Sequence, residues 1–205
     1  MTTVKKKLRK NLGACRKIKP QLGKSPMLSL YHSLMESHVR TGIVSWCHGN
    51  TTKKDSIQRS CDHFLQMVFP NPDLRLSMVS NKILSVDQIL FQEIAMTMFM
   101  IHNGSFPRCF NELFVETSHS MSTRSNRSFN LENPRIQLTK QSLNYKGTLV
   151  WNKIPNNVKY VRNSHPLQLF SKETFKNKLR EFLLTEGPVA TKHHLSEILY
   201  SNQEF

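Results

Sequence analysis

Apolar residues recur at helical spacing in several stretches of this chain, with polar faces between them. Val4, Leu8, Leu12 and Cys15 stand at steps of three and four, opposite Lys5, Lys6, Lys7, Arg9 and Lys10. That spacing predicts an amphipathic helix ended by Pro20 and Gly23. Leu28, Tyr31, Leu34, Met35, His38 and Val39 predict a second helix, with Ser25 as its cap and Pro26 at its first position. Thr52 and Asp55 mark the start of a third, whose stripe is Ile57, Cys61, Phe64, Leu65 and Val68 and which Pro70 and Pro72 stop. Three helices with short connections make a small bundle. Ser85 and Gln88 have capping-box spacing and open a fourth helix through Ile101, closed by Asn103-Gly104. Its Met96, Met98 and Met100 do not share one face, so it reads as a buried helix rather than an adaptable groove. Residues 107–114 predict a short fifth helix.

Residues 116–134 are rich in Ser, Asn, Thr and Arg and lack apolar periodicity, which predicts a loop or linker. Ile136 and Leu138 alternate with polar residues and predict a short strand. A turn segment centred on Trp151 follows, with Gly147 permitting the turn that brings the ring into the core. An amphipathic helix comes next. Ser171 serves as its N-cap, Phe170 and Phe175 as a hydrophobic staple, and Phe175, Leu179, Phe182 and Leu183 as its inward stripe, with Gly187-Pro188 at its end. Leu195, Ile198 and Leu199 give the tail one weak helical pattern. The expected fold is therefore mainly α: a small N-terminal helical bundle, a further helix pair, and a C-terminal turn-and-helix unit with short strands. The expected divisions are a basic bundle over 1–70, a helical segment over 71–115, a polar linker over 116–134, the turn-and-helix unit over 135–187 and a loose tail over 188–205.

Charge changes this picture most. The net charge is +15, and it is unevenly placed: residues 1–24 hold nine Lys or Arg and no acid, and residues 124–162 hold eight against the single Glu132. Such a field favours polyanions, namely RNA or DNA phosphates, over a small neutral substrate; the bland alternative is a solvated basic face. The phosphate-contacting candidates are Lys5, Lys6, Lys7, Arg9 and Lys10, together with Arg124, Arg127 and Lys140 in or beside the polar loop. Tyr145, Trp151 and Tyr160 among Lys146, Lys153, Lys159 and Arg162 could stack bases, but the apolar run Leu149-Val150-Trp151 favours a core role for the indole.

Catalytic chemistry finds no foothold. Asp55, Asp62, Asp73 and Asp87 are isolated, so no aspartate pair is present to hold two metal ions, and no catalytic residue is expected. Cys47, His48, Cys61 and His63 are four potential ligands at spacings that match no usual zinc module, so no metal or other cofactor is expected. Cys15, Cys47, Cys61 and Cys109 form no CxxC pair and read as reduced thiols of an intracellular protein, nuclear or cytoplasmic. The longest uncharged apolar run, from Ile94 to Ile101, is far short of a membrane span.

One set of residues resembles a known family. Tyr145, Gly147, Trp151, Asn152, Pro155, Ser164, Phe170, Phe175, Lys176 and Leu179 resemble the extreme C-terminal region of the reverse transcriptase polyprotein of non-LTR retrotransposons, the jockey-like and related LINE elements. Leu30-Tyr31-His32-Ser33-Leu34, followed by His38, Gly42, Ile43 and Trp46, is similar to a helix of that family ending in a glycine-isoleucine-x-x-tryptophan run. Thr123-Arg124-Ser125 is similar to its threonine-arginine-serine loop. The chain departs from the pattern at Ser37, Thr41, Cys47 and Thr148, and the resemblance covers roughly residues 5–185. It implies a noncatalytic piece of an RNA-directed DNA polymerase, lying after the palm in a thumb-like position. Its implied partners are RNA or DNA, bound electrostatically and without sequence preference, and the palm itself in the intact polyprotein. The rival expectation is a standalone helical protein-interaction module, or an element relic with no retained activity.

Overall fold

The computed structural model describes residues 2–47, 51–70, 73–114, 129–131, 139, 142–161 and 168–185. These are mainly helical. The chain divides into two compact units, Met1–Leu90 and Phe91–Phe205.

In the first unit α1 runs over Thr2–Ile18 and turns its apolar stripe inward, with Leu8 and Cys15 buried and Val4 and Leu12 half-buried. A 3-10 turn over Lys19–Gln21 holds Pro20. The next helix, α2, spans Lys24–Leu30 and corrects the expected cap. Gly23, in an extended conformation, is the N-cap, and the first helical bond runs from Met27 N to Gly23 O at 3.3 Å. Pro26 stands one turn in, where its missing N–H would have had no helical partner anyway.

The helix then widens into a π turn over Tyr31–Glu36 before α3, Ser37–Arg40. The cause lies in the apolar spacing. Met27, Tyr31, Met35 and Val39 are all buried and recur every four residues. An α-helix of 3.6 residues per turn would swing such a stripe off the core by roughly 40° at each step. The wider π turn brings it back. It also carries Glu36 inside, where His32 Nδ1 at 2.5 Å and Arg40 at 2.7 Å meet its carboxylate. Burial would raise the Glu36 carboxyl, but the Arg40 charge and the hydrogen bonds from His32 and Arg40 outweigh it and hold the group below its ordinary range.

Gly42 adopts a left-handed conformation at φ 65° and starts α4, Ile43–Trp46, while Trp46 Nε1 donates to the Thr41 carbonyl at 2.9 Å. The long α5, Thr51–Val68, buries Ile57, Cys61, Phe64 and Leu65, and Phe64 packs 5.6 Å from the Tyr31 ring. Asp73 caps α6, Leu74–Ser80, by accepting from the N–H groups of Arg75 and Leu76. Ser85 and Gln88 make the reciprocal capping box, with Ser85 N to Gln88 Oε1 at 2.9 Å and Gln88 N to Ser85 Oγ at 3.3 Å, and so open α7, Val86–His102. Lys54 Nζ on Asp87 at 2.8 Å and Val86 N donating to Gln58 Oε1 at 2.8 Å fasten that opening to α5.

In the second unit α7 ends in a Schellman motif. Ser105 N reaches Met100 O, Gly104 N reaches Ile101 O, and Gly104 sits at φ 67°. A 3-10 helix over Arg108–Leu113 replaces the expected fifth α-helix. The tryptophan segment is not a turn: it is a helix, α8, over Leu143–Lys153, capped by Ser142. Gly147 lies inside it, and a Cβ there would stand 2.5 Å from Met98 Sδ. Its glycine therefore serves the close approach of α8 to α7, not a bend. The short α9, Asn156–Lys159, leads into an isolated antiparallel bridge between Tyr160 and Leu169. Ser171 then caps α10, Lys172–Thr185, through Thr174 N, and Phe175, Leu179 and Leu183 face the core. The short strand expected at Ile136 and Leu138 lies outside the described residues, as do Gly187, Pro188 and the tail.

Candidate nucleic-acid interface

Helical geometry sorts the cations of α1 into a face. Counting from Leu8 and Cys15 on the buried side, Lys6, Lys10 and Lys17 fall on the opposite crest, with Arg9 and Arg16 along one flank and Lys7 along the other. All six are exposed, and Lys5, nearer the apolar side, is half-buried. From Lys6 to Lys17 the crest is about 16 Å long at 1.5 Å per residue. No acidic residue stands in the first turn, or anywhere else in the helix.

Three other cations of this unit are occupied. Arg40 is held on Glu36, Lys54 on Asp87, and Lys24 lies 4.5 Å over the Phe69 ring. Among the described residues, none of the α1 cations makes an ion pair. They also repel one another. Lys5 with Arg9, Lys6 with Lys10, Lys6 with Arg9 and Lys7 with Lys10 stand three or four apart, and each such pair destabilises a helix by about 0.2–0.5 kcal/mol. A surface of this kind attracts phosphates and carries no base-reading chemistry.

Four of the five singled-out N-terminal residues thus lie exposed on one helix surface. Arg16 and Lys17 extend it by another turn; their recurrence seven residues after Arg9 and Lys10 was the signal for them. Arg124, Arg127 and Lys140 lie outside the described residues.

Most of the aromatic and basic cluster of the second unit is arranged inward, although Tyr145 is half-buried, Lys153 is exposed and Arg162 lies outside the described residues. Trp151 is buried between His102, Phe129 and Phe175, with ring centroids at 5.5, 6.3 and 5.9 Å. Tyr160 and Lys146 are buried as well, and Lys159 is 0% exposed. Lys159 Nζ donates to the Trp151 carbonyl at 2.9 Å and lies 5.1 Å over the indole; burial pulls its pKa down to about 8. These groups are not placed to meet a phosphate backbone. Asn152 has a structural task too, exchanging two hydrogen bonds with the backbone of Phe129.

No metal centre is assembled among the described residues. No group of three or more His, Cys, Asp or Glu could hold a metal ion there; Cys47 and Cys61 are buried, His63 is exposed, and His48 lies outside the described residues. A shallow cleft with room for about 20 Å³ at the head of α8 is lined by Asn130, Leu131, Thr139, Ser142, Asn144, Tyr145 and Thr148, with no Lys, Arg, Asp, Glu or His. No described helix is long and apolar enough to cross a membrane. Comparison of the chain with known protein families, with curated proteins and with solved structures finds no match.

Proposed function

We propose that the chain is a noncatalytic C-terminal portion of a non-LTR retrotransposon reverse transcriptase, which contacts RNA or DNA phosphates through its basic segments. The observation that carries the phosphate-contacting part is the exposed, unpaired cationic face of α1. Six cations without acidic neighbours carry an electrostatic cost that phosphates would relieve. The family part rests on the motif residues quoted from the sequence, for which Gly147, Trp151, Asn152, Gly42 and Trp46 have physical tasks as packing and turn residues. On this reading the chain works inside the cell, in the nucleus or the cytoplasm, and the polymerase palm is its other partner in the intact polyprotein.

Fluorescence anisotropy of a labelled mixed-sequence oligonucleotide tests the binding. If all six exposed cations meet phosphates, log K should fall against log salt with a slope of magnitude up to about 5 on duplex DNA and about 4 on a single strand. Replacing Lys5, Lys6, Lys7, Arg9 and Lys10 by Gln should weaken binding across sequences and flatten that slope. An affinity unmoved by salt and by the five replacements would favour the rival helical interaction module instead. For that rival the available surface is α6, which buries no residue and leaves Leu76 66% and Val79 41% exposed. Magnesium-dependent nucleotide incorporation by the purified chain would overturn the noncatalytic reading.

A further inference from the structure

The cations in the first half of α1 act against the helix that carries them, whereas Arg16 and Lys17, in its last turn, complement the dipole. With no carboxylate in the first turn, the positive end of the helix macrodipole meets Lys5, Lys6 and Lys7. The like-charge pairs between Lys5 and Lys10 add to this. Gly13 sits exposed in the middle of the helix, where an added Cβ would meet nothing within 4 Å, so it lowers helix propensity without gaining any packing. One narrow stripe holds the helix down, with Val4 and Leu12 half-buried at its edges. Leu8 and Cys15 are buried, and Asn11 Nδ2 donates to the Leu34 carbonyl at 2.9 Å.

We propose that a polyanion completes α1: phosphates laid on the face from Lys6 to Lys17 remove the repulsion that opposes the helix, so nucleic-acid binding and the docking of α1 onto its own unit are one coupled equilibrium. This rests on the phosphate-contacting function proposed above. Charge density favours the helix over an unfolded polycation. The stretch from Lys6 to Lys17 spans about 16 Å as a helix and about 36–40 Å extended, so the helix gathers the same charges into less than half the length. Duplex DNA carries one charge per roughly 1.7 Å, and the denser cation row matches it better and displaces more of its counterions. A ligand that prefers the helical form must stabilise it by the same preference.

Hydrogen exchange of the full chain at low salt, with and without a mixed-sequence DNA duplex, tests the coupling. The amides of Asn11, Leu12, Cys15 and Lys17 report α1, and those of Ile94, Met98 and Ile101 report the second unit. With duplex at ten times its Kd, opening of α1 should fall by up to about tenfold, less by whatever the open form binds, while the second unit stays unchanged. The variant with Lys6, Lys7, Arg9 and Lys10 replaced by Gln should protect the α1 amides without duplex and respond little to it. If anisotropy shows the duplex bound while α1 protection is unchanged, the coupling is refuted and the binding function stands. If no duplex binds at low salt, the binding function falls and the coupling with it. A Gln variant whose α1 is no better protected than the parent would remove repulsion as the cause.

Discussion

The ammonium of Lys159, wholly inside the second unit, donates to the carbonyl of Trp151 at 2.9 Å. It bridges the end of α8 to the end of α9, and neighbouring backbone bonds, Phe170 N to Lys159 O and Val161 N to Gln168 O, tie the same point to the segment before α10. A buried amine of this kind couples stability to pH. Its folded pKa, about 8, lies below the ordinary 10.5. Between those values the unfolded chain holds a proton that the folded chain has released, so stability rises with pH across that window. The rise should be on the order of 3 kcal/mol. Urea unfolding of the parent and of Lys159→Met from pH 7 to 10.5 isolates it: the parent should gain stability relative to the variant as pH rises. A constant difference would show that the amine keeps its ordinary pKa.

The opposite slope belongs to the first unit. Cys61 is buried against Tyr31, and burial, then the neighbouring Asp62 charge, pushes its thiol up to about 12. The unfolded thiol ionises near its ordinary 9.0, so this group's contribution is full below that value and is lost as pH climbs toward 12. The same burial keeps the thiol unreactive. With a thiol-labelling reagent at pH 8 the native chain should show one fast site, Cys109, and slow reaction at the buried Cys15, Cys47 and Cys61. Cys109→Ser should abolish the fast phase, and a fast phase surviving it would place another cysteine at the surface.

Gly147→Ala should destabilise the second unit by about 1–2 kcal/mol. The new methyl meets Met98 Sδ, and Met98 is itself wholly buried, so the overpacking cost exceeds the gain in helix propensity. Thermal unfolding of the single variants and of the double variant with Met98→Ala measures the contact. Room made at position 98 should recover part of the alanine's cost; additive effects would deny that the two residues meet.

Trp151→Ala should cost the second unit about 3–5 kcal/mol, because the lost ring packs against His102, Phe129 and Phe175 and lies beneath the Lys159 ammonium. Unfolding by denaturant gives the loss, and oligonucleotide affinity measured where the variant is still folded should be unchanged. Unchanged stability with reduced affinity would make the indole a base-stacking group instead.

Features with local causes were legible in the sequence. The capping box at Ser85 and Gln88, the Ser171 cap, the Asn103-Gly104 stop and the inward stripes of α1, α5 and α10 each depend on residues within about two turns of one another, so residue type and spacing suffice. The strict four-residue recurrence from Met27 to Val39 also carried the π turn, although ordinary helical patterning passes over it. Tertiary structure decided the rest. Gly147 reads as a turn residue until Met98, far away in sequence, stands against it, and Lys159 reads as a surface cation until the Trp151 carbonyl and ring enclose it. The sign of a residue's role in both cases is set by which distant side chain occupies its neighbouring space, a quantity that local spacing does not contain. The α1 cations are the converse case: their exposure follows from helix period alone, and only the folded unit shows that no carboxylate among the described residues comes round to pair with them.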